Sequence, residues 1–292
     1  MDINRYSPSY ILGKKHLIGL TDYSTEEIFE FLYATKTLKR KFEAHEETNI
    51  LHGTTVAMLF ADTSLRTRSA IEIGAHQLGG NCVDLPYSSK DMHAGENIRD
   101  IVNVISRYGV SALVTRRINK KLLSEFTAIS SMPIINSHND DCVPIQALSD
   151  LFTIWEKKGE LAGVKLAVVG KATSMTSSFV IGAVKCGLDV SVACPARYGL
   201  KRENVEAAEQ LGKIYFTDNP VEAVRDADIV YTNAYRYHTV LPDEEREALA
   251  PYRVDAGLMS YAKHNALFMH PLPAPRGLEV TAEVIDGKHS VV

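Results

Sequence analysis

The strongest constraint on this chain is a rhythm in its apolar residues. Short apolar runs fill residues 54–60 (TTVAMLF), 82–85, 112–115 and 133–136, and again 164–170 (VKLAVVG), 189–194, 214–216, 228–232 and 266–269. Between them lie segments with helical spacing, at 69–78, 97–108, 178–186, 204–211 and 220–224. Runs this short read as buried strands, and the spaced segments read as amphipathic helices. Strand alternating with helix predicts a parallel sheet, because parallel neighbours need a long crossover. Ser24-Thr-Glu-Glu27 forms a capping box that opens a first helix, with Ile28, Phe31, Leu32 and Leu38 facing inward. A longer helix divides the two series. Pro144 suits its first turn, Ile145, Leu148, Leu151, Phe152 and Trp155 share a face, and Gly159 ends it. The expected fold class is α/β, in two domains, 1–143 and 144–292, each a parallel sheet flanked by helices.

Composition removes several function classes. The chain has 292 residues, 45% of them apolar and 23% charged, with a net charge of −4. That balance is of an ordinary globular protein, with no basic surface for nucleic acid or an acidic membrane. No segment reaches the roughly 20 apolar residues of a membrane helix. Lys14 and Lys15 interrupt the only apolar stretch near the N-terminus, so no signal peptide is read. Cys82, Cys142, Cys186 and Cys194 form no C-x-x-C pair and sit beside apolar runs, as reduced structural thiols do. The expected location is the cytoplasm.

The chemistry gathers where strands end. TTVAMLF runs into ADTSLRTRSA and then a helix. Ser64, Thr67, the amides around them, and Arg66 and Arg68 together suit a phosphate: hydroxyls, a positive helix end and guanidinium forks. Near the chain's end the apolar run NALFM exits into HPLPAPRG, residues 270–277, whose prolines lock a turn at a strand's carboxyl end. A third junction, LAVVGKATS, fails as a dinucleotide fingerprint. Gly170 alone fits G-x-G-x-x-G, and VSVACP carries no acid at its strand end.

TSLRTR resembles the S-T-R-T-R loop of the aspartate and ornithine carbamoyltransferases. GENIRDIVNVISRY, Arg116 in LVTRR, PIIN…VPIQALSDLFTI and HPLPAPRGLEVTAEVIDGKHSVV follow in that family's order and cover nearly the whole chain. The last of these is nearest the ornithine-type ending. The resemblance implies two Rossmann-like domains, 1–143 for carbamoyl phosphate and 144–292 for the amine acceptor. It implies a homotrimer with shared active sites and no metal or nucleotide cofactor. Amine attack on the carbamoyl carbon would give a tetrahedral oxyanion, then phosphate. Ser64, Leu65, Arg66 and the loop amides would hold the phosphate. Thr67 and Arg116 would polarise the carbonyl. Gln146 and the carbonyl of Leu272, after Pro271, would accept from the carbamoyl NH2.

The departures from the family fall at the carbonyl and the acceptor. Val143 stands where the family's H-P-x-Q carries a donor histidine. His138, five residues earlier, reads as a solvated loop histidine, with a substitute donor as the alternative. The family's acceptor motif D-x-x-x-S-M-G is Asn233-Ala-Tyr-Arg236-Tyr237-His238-Thr239 here, and an asparagine that contacts ornithine falls at about Ser174. Tyr235, Arg236, Tyr237 and His238 would line an acceptor pocket for something smaller or more anionic than ornithine. His93 and Ala94 occupy the loop that reaches a neighbouring subunit. After Val292 the family continues with a Glu-Asn-Arg segment and a closing helix.

Overall fold

Two parallel sheets flanked by helices emerge in the computed structural model, which describes residues 1–85, 98–235 and 240–292. The chain divides into two compact units. One holds residues 8–22 and 30–145, the other 1–7, 23–29 and 146–292. The first helix, α1 (Thr25–Glu43), opens with the expected capping box. Ser24 Oγ accepts from the Glu27 amide at 3.2 Å, and Glu27 Oε2 accepts from the Ser24 amide at 2.9 Å. Ile28 and Leu32 are buried as expected. Phe29 joins them, while Phe31 and Leu38 are only half-buried.

In the first unit the strands are β1 (Thr55–Phe60), β2 (Asn81–Leu85), β3 (Ala112–Arg116) and β4 (Ile134–His138), in the order β2-β1-β3-β4. The central strand shows why both faces must be covered. Ala57 and Leu59 pack with Leu113, Phe126 and Ile134 on one side, and Met58 and Phe60 with Val114 on the other. Helices α2 (Leu65–Gln77), α3 (Ile98–Arg107) and α4 (Lys120–Ile129) belong to this unit. The pattern at 69–78 predicts too short a helix: α2 starts at Leu65, so TSLRTR is its cap and first turn. α4 is absent from the sequence reading. The Asn119 carboxamide caps it by accepting from the Leu122 amide at 2.9 Å, and Leu122, Leu123 and Phe126 bury its inner face.

The next helix, α5 (Pro144–Lys158), buries a wider face than the sequence suggests. Leu151, Phe152 and Trp155 are inside, with Ala147, Asp150 and Ile154 beside them, while Ile145 and Leu148 are half-buried. The second sheet orders β5 (Lys165–Val169), β6 (Asp189–Ala193), β7 (Ile214–Thr217), β8 (Ile229–Tyr231) and β9 (Leu267–Met269) as β7-β6-β5-β8-β9. Helix α6 (Ser174–Lys185) begins four residues before the expected start, under a Thr173–Thr176 capping box, and is buried along most of its length. Helices α7 (Arg202–Leu211) and α8 (Pro220–Val224) match expected segments. The short helices α9 (Asp243–Leu249), α10 (Ala256–Met259) and α11 (Ala282–Ile285) do not appear in the sequence reading. Among the described residues, no helix is long and apolar enough to cross a membrane.

In both sheets the strand order reverses at one strand, β1 in the first and β5 in the second, each with neighbours reached in opposite directions. Ligands of open α/β sheets bind outside the carboxyl ends at such switch points. Immediately after β5, Gly170 sits at φ +106°, and an added Cβ would lie 2.5 Å from the Tyr235 ring. Tyr235 is only 2% exposed and donates its hydroxyl to the Tyr252 carbonyl at 3.0 Å. Tyr235 therefore seals this turn and does not line an open pocket, which corrects the expectation from its sequence neighbours. Gly170→Ala should lose about 2–4 kcal/mol, from left-handed strain plus overpacking. Adding Tyr235→Leu should recover part of that in denaturant titration. No recovery would show that Tyr235 does not press on this glycine.

Candidate active site

In the first unit, the chain leaves β1 at Phe60 and enters α2 after four residues. Ser64 occupies the N-cap, but its side chain caps no amide, and the first turn contains no acid. The helix start therefore presents uncapped N–H donors beside the half-buried Thr67 and the exposed Arg66, a combination suited to an anion. Leu65 is 81% exposed and contributes its backbone here, not packing. Arg68 is committed elsewhere. It ion-pairs with Asp84 of β2 and lies over the Phe60 ring, 5.1 Å from its centroid.

The neighbouring strand ends converge on Arg116. Its Nε donates to Asp62 Oδ1 at 3.0 Å, and its Nη1 donates to His138 Nδ1 at 3.1 Å. Asp62 also reaches Arg117 Nε at 3.6 Å, and Arg117 occupies the left-handed region at φ 58°. An arginine can only donate, so Nδ1 of His138 accepts and the ring carries its hydrogen on Nε2. Burial, with Arg117 and Arg116 alongside, pushes the His138 pKa down to about 3. His138 is 7% exposed at the end of β4, so the reading of a solvated loop histidine is corrected: it is a neutral, buried partner of Arg116.

The second unit holds three polar clusters. On α5, Gln146 Nε2 donates to Asp150 Oδ1 at 2.9 Å. Burial raises the Asp150 pKa to about 7, opposed by hydrogen bonding from Gln146 and Tyr231. After β8, Asn233 is 3% exposed. Its Nδ2 donates to Thr173 Oγ1 at 2.9 Å and Thr176 Oγ1 at 2.8 Å, next to Ser174, the first residue of α6. Its Oδ1 is buried with no hydrogen-bond partner among the described residues. After β9, His270 Nδ1 accepts from the Leu272 amide at 2.9 Å, and its Nε2 lies 3.3 Å from Glu279 Oε1, with both side chains fully buried. This clamps the turn through Pro271 and Leu272, where Leu272 takes φ 53° and the Leu272–Pro273 bond is cis. A non-glycine residue held in that region marks a position that the surroundings enforce. Arg236, Tyr237 and His238, like His93 and Ala94, lie outside the described residues.

Residues 15–156 match the carbamoyl-P binding domain of aspartate/ornithine carbamoyltransferases, and residues 162–292 match their Asp/Orn binding domain. The chain belongs to the aspartate/ornithine carbamoyltransferase family. It is 40% identical to an ornithine carbamoyltransferase of Bacillus subtilis over 285 residues, covering 95% of this chain and 88% of that protein. It is 38% identical to one of Anoxybacillus flavithermus, covering 96% and 91%. The ornithine carbamoyltransferase structure of Pyrococcus furiosus superposes with a TM-score of 0.90 at 37% identity, covering 95% of this chain and 91% of that one.

Against that family, sequence reasoning passed over Asp62, Asp150, Thr173, Thr176 and Glu279. A signal for Asp150 was present. It stands four residues after Gln146 and in line with Ala147, Leu151 and Ile154, where a helix repeat places it inside. Asp62 carried a weaker signal, as an acid two residues beyond a buried strand. Glu279 stands inside the HPLPAPRGLEVT segment that resembles the family ending, but only the fold shows that it meets His270.

The two buried titrating groups act in opposite senses. His138 falls from 6.5 unfolded to about 3 folded, so the unfolded chain binds more protons between those values and stability rises with pH there. Asp150 rises from 3.8 to about 7, so the folded chain binds more protons and stability falls as pH rises through that window. Each slope approaches about 1.4 kcal/mol per pH unit. Relative to the native protein, His138→Gln should gain stability as pH drops from 6.5 towards 4, and Asp150→Asn as pH rises from 4 to 7. Melting temperatures across that range check both. Parallel curves for variant and native protein would contradict the assignment.

Proposed function

We propose that this protein moves the carbamoyl group of carbamoyl phosphate onto an amine of an amino acid or related compound. The support lies in the uncapped start of α2 beside Arg66, and in Arg116 held by Asp62 and His138. The first suits a phosphate, and the second suits an oxygen that gains charge as the amine attacks. In this reading Ser64, Leu65, Arg66 and Thr67 hold the phosphate, Thr67 and Arg116 polarise the carbonyl, and Gln146 and the Leu272 carbonyl accept from the NH2. The amine nitrogen bonds to the carbamoyl carbon, the amine gives up a proton, and the C–O bond to phosphate breaks. Catalysis of this kind is mainly positioning. A cytoplasmic homotrimer with shared sites completes the reading. Leu65, Ile73 and Val83 leave apolar surface at 81%, 56% and 38% exposure on α2 and β2, where another copy would cover it.

The acceptor is read from Asn233. A carboxylate pairs with an ammonium, whereas the Asn233 carbonyl, unpartnered among the described residues, needs only one N–H and holds no charge. That favours an acceptor carrying a neutral N–H, or less net positive charge, than ornithine does at this place, such as an acylated or smaller anionic amino-acid derivative. Arg236, Tyr237 and His238 would supply the remaining contacts, with Ser174 beside them. A second reading, a carbamoyl-phosphate binder with little turnover, is favoured by Val143, which is buried and cannot donate.

Mass spectrometry of reactions with carbamoyl phosphate and an amine panel separates these readings. The panel contains ornithine, acylated ornithines, lysine, putrescine, aspartate and small ureido compounds. A carbamoylated product from an acylated or anionic amine supports the proposal, and ornithine emerging as best overturns the reading of Asn233. Binding of carbamoyl phosphate by calorimetry with no product from any amine supports the second reading. Val143→His should then raise turnover by about 100-fold, the scale of one preorganised oxyanion donor.

A further inference from the structure

Gln146 owes its usefulness to one edge of its amide. A glutamine amide presents an acceptor on one side and two donors on the other, and the two edges have nearly the same shape. In the role proposed above, only the Oε1 edge serves, because a carbamoyl NH2 has hydrogens to give and none to accept. An unrestrained amide would offer the wrong edge much of the time. One turn along α5, Asp150 is fully buried beside Ala147, Leu151 and Ile154, and takes a hydrogen bond from Gln146 Nε2 at 2.9 Å. An ionised carboxylate has only acceptors, so it attracts the nitrogen edge and repels the oxygen edge. Oε1 is thereby turned away from Asp150.

We propose that Asp150 is a positioning residue that fixes the amide of Gln146 with Oε1 towards the carbamoyl NH2, and so makes the site select a carbamoyl over an acyl donor. The proposal rests on the carbamoyl-phosphate reading and extends it to discrimination among acyl phosphates. Acetyl phosphate is the natural probe: it carries a methyl group where carbamoyl phosphate carries NH2, with the same size and the same phosphate. A helix one turn long between the two residues makes the coupling direct. The side chain four positions away is the nearest neighbour that a helix provides on the same face.

The test measures affinities of the full-length protein for carbamoyl phosphate, acetyl phosphate and inorganic phosphate by calorimetry at pH 8.5, where Asp150 is ionised. The native protein should prefer carbamoyl phosphate to acetyl phosphate, and Gln146→Leu should lose that preference. Asp150→Leu should lower it by about tenfold, the scale of one hydrogen bond, while the affinity for inorganic phosphate stays unchanged. A general loosening of the fold would weaken all three ligands together. The double variant should match Gln146→Leu alone, since Asp150 acts only through Gln146. Should Asp150→Leu not fold, Asp150→Asn serves: its own amide can offer either edge, so the preference should fall at least threefold. A folded Asp150 variant that keeps the native preference overturns the positioning role. A native protein that does not distinguish carbamoyl from acetyl phosphate overturns the underlying reading of the site, a separate result.

Discussion

A parallel sheet with both faces covered can meet a ligand only at its edges, and this constraint places almost every residue of interest. Strand backbones satisfy one another along β2-β1-β3-β4 and β7-β6-β5-β8-β9, and helices cover their faces. At β1 and β5 the successive crossovers depart to opposite sides, so the carboxyl ends there stay open. Ser64 and α2 follow β1, and Thr173 and α6 follow β5. Arg116 closes β3, His138 closes β4, Asn233 follows β8, and His270 follows β9. These side chains come from distant parts of the sequence, yet within each sheet they share the same edge.

Gathering polar groups at a buried edge is costly, and the fold offsets much of that cost by pairing most of them, while Asn233 Oδ1 and Asp150 Oδ2 stay without a hydrogen bond among the described residues. Arg116 has a carboxylate on Nε and an imidazole on Nη1, and Asn233 has two threonine hydroxyls. The Leu272 turn is held by a histidine that in turn faces Glu279. Removing one member of such a pair leaves the other buried and unsatisfied, which costs more than the bond itself contributes. The pairing also fixes direction. An arginine forces its imidazole partner to accept, and a carboxylate forces its amide partner to donate, so the orientation of each neutral group is set by the charge beside it.

How much of this was legible in the sequence depended on whether the cause was local. Strand alternation, the Ser24 capping box and the Pro144 helix are local patterns, and they sit where the spacing placed them. The start of α2 is hidden in the sequence because Leu65, Arg66 and Thr67 carry no apolar stripe: the first turn faces outward, and only Ser64 announces a cap. The start of α6 is hidden for a related reason, since Thr173 caps it but Ser174, Thr176 and Ser177 disguise a helix that is buried by its fold and not by an amphipathic face. His138 and Tyr235 show the larger limit. Both look polar and loop-bound in the sequence. One is buried by a strand end and an arginine, the other by a glycine that leaves it room. Their burial follows from long-range contacts that no local pattern encodes.

Charge at these edges is distributed in a way that matches the proposed donor. A phosphate is an anion, and a carbamoyl group is neutral but strongly dipolar. The first unit accordingly offers an exposed cation, Arg66, at a helix start without an acid. Apart from Arg116 at the carbonyl and Arg236 in the acceptor reading, the groups assigned to the carbamoyl and acceptor ends are neutral: Gln146, the Leu272 carbonyl and Asn233, with His138 held as the uncharged ring behind Arg116. An extra cation there would stabilise the bound ground state as much as the transition state, which does not raise the rate of the chemical step. Neutral dipoles fixed in advance respond mainly to the charge that forms as the amine attacks. On this view the carboxyl groups of Asp62, Asp150 and Glu279 need not touch the reacting atoms to matter. They stand behind Arg116, Gln146 and His270 and bear on which way each one points.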